Sequence, residues 1–379
     1  MKLFFNLIIA AIFASLLAGG FIECLNVAVD FFQQHSRFLI WMIPMAGAIL
    51  YYLGRIKHFR NCEHENSPAL TPYMYLTATW SHLFGASVGR EGAAIQIGAS
   101  VAEWVRRRLK HEEGHRPYFA MAGIAAAFAT VLAAPFSAVI FAIEYRKSGQ
   151  KWQVLSAALG AAIGWGFLQL APIHHWHAPT VEVNFSQIQW LGLLGLSLGL
   201  WVLANSFVWS EDFFTRLLGP VPMWMILPAS GAILSLSILL IGHTQLNNFS
   251  LPLLDESFVT PADFSTTLGK IYMTFISLTG GWKGGAFVPL MVSGALFASW
   301  LGSLLGVSNA AATAVGVFSV IHKKFKIPLT SVVITGEIFS WRVAVLSLPA
   351  HLLIHFFRPQ VHFEKFLHGR KNAKPKSSL

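Results

Sequence analysis

Charge is what this 379-residue chain has least of: Asp, Glu, Lys and Arg together make up 12% of it, about half the share usual in a soluble chain. No long polar stretch breaks the sequence either. Such a chain cannot keep its outside wet in water, which excludes a soluble globular domain. Cysteine is nearly absent. Cys24 and Cys62 are too few for a disulfide framework or a thiolate metal centre. No glycine-rich nucleotide loop occurs, which excludes an ATP-driven pump. The net charge is +10, yet the basic residues do not interleave with aromatics on a polar surface. They sit in short clusters between apolar runs, so the partner they imply is a lipid bilayer and not a nucleic acid.

What the chain has instead is apolar sequence, 55% by residue type. Met1 to Gly20 mimics a secretory signal, with Lys2, an apolar run and small residues. More apolar segments follow at once, so residues 3–22 read as a first membrane helix and not as a cleaved leader. Apolar segments cover 3–22, 37–54, 69–88, 92–105, 117–133, 135–145, 153–171, 187–208, 221–242, 266–279, 287–305, 308–321, 328–338 and 341–357. Several are too short to cross a hydrocarbon core about 30 Å thick. Gly89 to Gly92, Pro135, Gly280 to Gly285, Pro289 and Pro328 break them further. Broken helices at membrane depth survive only inside protein or beside a wet cavity. That pattern points to a transporter or channel.

The chain repeats itself. Gly123, Pro135, Val139 and Glu144 match Gly316, Pro328, Val332 and Glu337, each 193 positions later. Upstream, Gly98, Ala99, Ala102 and Trp104 match Gly294, Ala295, Ala298 and Trp300 at an offset of 196. The charges invert between copies. Arg106 to Lys110 follows Trp104, whereas the residues after Trp300 are uncharged. The joint before Pro135 is neutral, whereas His322 to Lys326 precedes Pro328. Basic loops stay in the cytoplasm, so equivalent loops lie on opposite sides. Inverted halves place a substrate near the midplane, where half-helix ends meet.

Two glycine-flanked breaks hold equivalent places. One is Gly89-Arg90-Glu91-Gly92; the other is Gly285-Ala286-Phe287-Val288-Pro289. Each opens a helix, so free N–H groups and the positive end of the helix dipole face the midplane. That setting suits an anion without a full positive charge to trap it. Glu91 stands out, because an intramembrane carboxylate is costly and functional by default; at a helix N-terminus it can occupy the anion site itself. The plainer role is an ion pair with Arg90. Glu144 and Glu337 close matching short helices and suit capping. Glu103 suits pairing with the arginines beside it. His174-His175-Trp176-His177 could bind metal, but with no nearby Cys or carboxylate in sequence it reads as solvated loop.

With these residues in view, the chain resembles the ClC-type chloride channels and anion/proton antiporters. The resemblance rests on Gly89-Arg90-Glu91-Gly92 with Gln96-Ile97-Gly98, on Gly285 to Pro289, and on the Pro135–Glu144 and Pro328–Glu337 helices. It implies an all-α polytopic membrane protein of inverted, short, tilted and broken helices. Residues 1–360 would form one transmembrane domain, with halves at about 1–150 and 185–360, and 361–379 a basic cytoplasmic tail. It implies transport and no enzymatic chemistry, cofactor or metal. Its ligand would be chloride or another halide, with protons as a further one, and its partner a second copy in a homodimer, in a bacterial-type inner (plasma) membrane. The dimer surface would involve the helices around 135–145, 153–171, 328–338 and 341–357. By resemblance Glu91 is the gating glutamate, Gly89, Arg90, Gly92, Ala286, Phe287, Val288 and Phe363 surround the anion, and Glu144 stands by a proton path.

The sequence departs from the family in four places. The family's G-S-G-I-P serine motif is missing; Arg55 to Pro72 is short and polar, with only Ser67-Pro68 as an echo. Phe363 stands where the family has a tyrosine. Tyr145 stands where the antiporters have an internal proton glutamate. Thr279 to Pro289 and Ser81 to Gly92 are similar to the fluoride-exporting branch, which has a glutamate at the Ala286 position. Fluoride export and a non-conducting scaffold on this frame are therefore the rival readings.

Overall fold

The computed structural model describes residues 2–56, 67–171, 173–184 and 189–357. These form fourteen α-helices: α1 (Lys2–Gly54), α2 (Leu70–Leu83), α3 (Glu91–Arg108), α4 (Arg116–Leu132), α5 (Pro135–Arg146), α6 (Lys151–Leu170), α7 (Trp190–Leu218), α8 (Met223–Ile241), α9 (Leu251–Val259), α10 (Phe264–Thr279), α11 (Phe287–Leu304), α12 (Asn309–Phe325), α13 (Pro328–Ile338) and α14 (Trp341–Phe356). Five of them, α1, α6, α7, α8 and α11, are long and apolar enough to cross a membrane. Phe363 and the 361–379 tail lie outside the described residues.

Two expectations fail. Segments 3–22 and 37–54 are one helix, α1. The residues between them mix polar and apolar types, and Glu23 to Ser36 contain no Gly or Pro to break the helix. Leu25, Ala28 and Phe32 carry its buried face through. The short helix α9 was not foreseen. Pro252, Asp255 and Glu256 make its nine residues look like loop.

The repeat is real in three dimensions, and its contacts come in reciprocal pairs. α3 crosses α4 where Gly98 and Gly123 face each other's carbonyls, and α11 crosses α12 where Gly294 and Gly316 do the same. Any side chain at these four positions would collide with the opposing backbone, which explains the glycine matches. Each crossing then turns through a left-handed residue, Ala133 (φ 55°) or Lys326 (φ 58°). A proline follows at the first position of α5 or α13, where its missing N–H costs nothing. Glu144 and Glu337 close the pattern. The Glu144 carboxylate accepts from the Leu329 and Thr330 N–H groups at 2.9 and 2.8 Å. Glu337 accepts from those of Phe136 and Ser137 at 2.9 and 2.8 Å. Each carboxylate thus caps the other repeat's short helix. Glu103 pairs with Arg106 and Arg107 at 2.8 and 2.6 Å.

Helix α6 packs on α4 through Gly160 and Gly164, which lie against the backbone of Ala122 and Ala126. Gly164→Ala should therefore cut the yield of monodisperse protein in size-exclusion chromatography several-fold, since overpacking costs about 1–3 kcal/mol even where side chains can shift. Gly166, two residues on and so on the opposite face of the helix, has nothing within 4 Å. Gly166→Ala should leave the yield unchanged or raise it, because Ala favours a helix over Gly by about 1 kcal/mol. Equal yields for the two variants would contradict this packing.

Candidate functional site

The two sequence breaks meet. Gly89 and Gly285, equivalent at the 196-residue offset, form an isolated antiparallel bridge. The Gly285 N–H donates to the Gly89 carbonyl at 2.6 Å, and the Gly89 N–H donates to the Gly285 carbonyl. A two-fold relation between the repeats demands that equivalent residues pair with each other, so this bridge marks the axis. Close approach is the reason for glycine. A Cβ on Gly89 would lie 2.7 Å from the Pro289 ring, and one on Gly285 would lie 2.9 Å from the Gly92 nitrogen.

Serines flanking the bridge repeat the symmetry. The Ser87 N–H donates to Ser277 Oγ at 2.9 Å. The Lys283 N–H donates to Ser81 Oγ at 3.1 Å. Each break is thereby held by the helix before the other break, α10 for the first and α2 for the second. The result brings the N-termini of α3 and α11 face to face, with Arg90 and Ala286 as their N-caps. Pro289 has no N–H, so α11 offers those of Phe287 and Val288 in its first turn.

Glu91 opens α3 and is buried, 2% exposed. Its Oε1 accepts from Arg90 Nε at 3.1 Å. Its Oε2 is buried with no partner among the described residues. Arg90 also reaches Asn26 Oδ1 at 3.3 Å and lies over the Phe249 ring. Phe287 is fully buried against Phe128, Phe325 and Phe318. Gly92 faces Gly285. The structure thus gathers Gly89, Arg90, Glu91, Gly92, Ala286, Phe287 and Val288 at one point. Glu144 lies apart from them, engaged at the start of α13.

A small void of about 10 Å³ touches Glu91, Val288, Met291 and Ile338, with Arg90 and Trp176 in its wall. That is barely room for a water. Arg90, Trp176 and Leu251 also line a vestibule of about 980 Å³, together with Glu23, Asp30, His174, His177, Asp255 and Glu256. Trp176 donates to Asp255 Oδ1 at 2.7 Å and stacks near Phe258 and Phe339. His174 Nδ1 lies 3.1 Å from Glu23. Glu91 is therefore separated from the vestibule by Arg90, Trp176 and Leu251, which line both spaces. A cavity of about 1000 Å³ beside Glu182, Ser308 and Arg342 touches neither break.

The sequence match decides the family. The sequence pattern of the family described as "Voltage gated chloride channel" fits residues 53–353. The chain belongs to this family. Among relatives of the voltage gated chloride channels it is 27% identical over 366 residues to a "Chloride/fluoride channel protein" of Pseudomonas syringae pv. tomato, covering 88% of this chain and 80% of that one. Its fold is similar to that of a CLC-type fluoride/proton antiporter, with a TM-score of 0.84 at 23% identity over 94% of this chain and 95% of that one. It is also similar to that of a slow cyanobacterial Cl⁻/H⁺ antiporter, with a TM-score of 0.73 at 17% identity over 93% of each. The chain is thus a multi-pass membrane protein with the family's helical fold.

The sequence gives no site for Asn26, Phe249 and Lys270, and Trp176, expected in a solvated loop, instead bonds Asp255 and walls the void beside Glu91. Of these only Lys270 carried a signal: a lysine inside an apolar segment is a functional candidate by default.

Proposed function

We propose that the chain carries small halide anions across a membrane through a path that crosses the Gly89–Gly285 axis, with Glu91 as its gate. One observation carries the reading: two helix N-termini converge on a buried carboxylate whose second oxygen has no partner among the described residues. A carboxylate and a halide compete for the same positive field. Glu91 in place closes the path; protonated or swung away, it opens it. The N–H groups around Gly92, Phe287 and Val288 supply the field, Gly89 and Ala286 the close approach, and Arg90 steadies the closed carboxylate. Chloride is the default ion. Fluoride is the second reading, favoured by the Trp282-Lys283-Gly284-Gly285 string and by the Pseudomonas relative, whose name carries both ions. Flux from liposomes holding purified protein, read with chloride and fluoride electrodes, tests the proposal.

The working form we propose is a homodimer in the plasma membrane of a bacterial-type cell. The outer faces of α5 and α13 present Phe136 and Leu329, 73% and 63% exposed. They are equivalent residues beside the mutually capped helices, a surface suited to a second copy. In that membrane Arg106 to Lys110, Arg146 to Lys151 and His322 to Lys326 face the cytoplasm, and Val181 to Gln187 and Ser303 to Asn309 face outside. Single cysteines in a background without Cys24 and Cys62 check this. A membrane-impermeant thiol reagent should label position 303 and not position 324 in intact cells. Labelling at 324 would reverse the topology.

A further inference from the structure

Lys270 lies on α10 with its side chain fully buried. Its ammonium donates to Ser87 Oγ and the Asn248 carbonyl at 2.9 Å each, to Ser250 Oγ at 2.8 Å, and to the Leu246 carbonyl at 3.2 Å. None of the four oxygens belongs to a carboxylate. Dipoles alone leave a buried cation under-compensated, and low dielectric makes that expensive. Among the described residues, the nearby Arg90 is paired with one carboxylate, Glu91. When Glu91 is protonated or swings away, neither cation keeps a counter-charge.

The loop that Lys270 holds also carries unspent hydrogen-bonding capacity. Asn248 Oδ1 meets His82 Nδ1 at 3.2 Å, which leaves Asn248 Nδ2 buried without a partner among the described residues. His82 Nε2 and Asn247 Oδ1 are buried and unpartnered as well, although Asn247 Nδ2 donates to the Gly85 carbonyl at 2.7 Å. Orphaned buried polar atoms are rare, and each needs an explanation. Of these three, only Asn248 Nδ2 is a donor: with Nδ1 facing Asn248 Oδ1, His82 Nε2 is an acceptor, as is Asn247 Oδ1, so the group open to an anion beside this cation is the Asn248 amide. Asn247, Asn248, Ser250 and Arg90 form the inner wall of the vestibule.

We infer that this inner wall, at Asn248 between Lys270 and Arg90, is a second halide-binding position, separate from the one between the α3 and α11 N-termini. The inference rests on the anion-transport reading. Asn248 Nδ2 supplies the direct donor. Lys270, bonded to the carbonyl of the same residue, supplies charge at one remove. A neutral donor in the field of a recessed cation binds an anion firmly enough to enter and loosely enough to leave. Glu23, Asp30, Asp255 and Glu256 line the same vestibule and disfavour anions in it, so an attractive position at Asn248 eases entry from that side.

Crystals of the wild type and of Asn248→Ala grown in bromide test this. Asn248→Ala removes the donor and keeps the carbonyl that Lys270 binds. The wild type should show an anomalous peak within hydrogen-bond distance of Asn248 Nδ2, and Asn248→Ala should lack it. In liposomes, Asn248→Ala and Lys270→Met should raise the half-saturating halide concentration from the vestibule side at least about threefold, with entry from the other side unchanged; a threefold change is what a weak hydrogen bond of under 1 kcal/mol gives. No wild-type peak beside Asn248, or a peak kept in Asn248→Ala, overturns the inference. Should Lys270→Met fail to fold, Asn248→Ala decides alone. Absence of any wild-type flux would sink the transport reading, while the bromide peak would still judge the position itself.

Discussion

Glu91→Gln is expected to change halide flux by at least about fivefold, since a gate shifted by roughly 1 kcal/mol changes its populations by that much. It should also remove whatever pH dependence the wild type shows. The carboxylate stands at the positive end of α3 and is held by Arg90 at 3.1 Å. The amide fills the same volume, so the packing around Val288 and Met291 has no reason to change. It carries no charge, so it competes with a halide less well for the facing N–H groups, and it cannot titrate. The expected direction is faster chloride flux that is flat in pH. The check is chloride and fluoride efflux from liposomes at acid and neutral pH. Identical fluxes for wild type and variant at every pH would remove Glu91 from the gate.

The second large effect is an absence of tight proton coupling. Strict exchange requires a proton to reach Glu91 from the cytoplasm while the anion path is shut. By family resemblance the chloride antiporters use a carboxylate at the Tyr145 position and the fluoride antiporters one at the Ala286 position. Tyr145 is a phenol stacked on Phe141, a poor carrier near neutral pH. Ala286 has no proton to give. Glu144, the nearest carboxylate in sequence, spends its oxygens on the Leu329 and Thr330 N–H groups and the Thr330 hydroxyl, at 2.6 to 2.9 Å. A halide gradient should therefore drive little or no uphill proton movement in sealed liposomes. Proton pumping at a fixed stoichiometry would show a carrier at work, and Glu144→Gln would be the first variant to make.

The sequence carried the repeat because packing forces identity. Gly98, Gly123, Gly294 and Gly316 tolerate no side chain, and Glu144 and Glu337 cap helices that begin with proline, so the same letters recur at fixed offsets. The convergence of Gly89 and Gly285 followed from the inverted charges together with those offsets. The continuity of α1 did not show, because polar residues in mid-helix read as a loop when no partner surface is visible. The short α9 was hidden by its acidic residues. The loop Leu246 to Ser250 carried no pattern; its importance comes from Lys270, Gly85 and His82, which are distant in sequence and meet it only in the fold.

The most direct test of the account is halide efflux from liposomes containing the purified wild-type protein, loaded with chloride or fluoride and read by ion-selective electrodes. Release of at least one halide well above that from protein-free liposomes, altered by Glu91→Gln, is the expected result. Release no faster than from protein-free liposomes for both ions, at acid and neutral pH, would contradict it and leave a non-conducting membrane scaffold on the same frame.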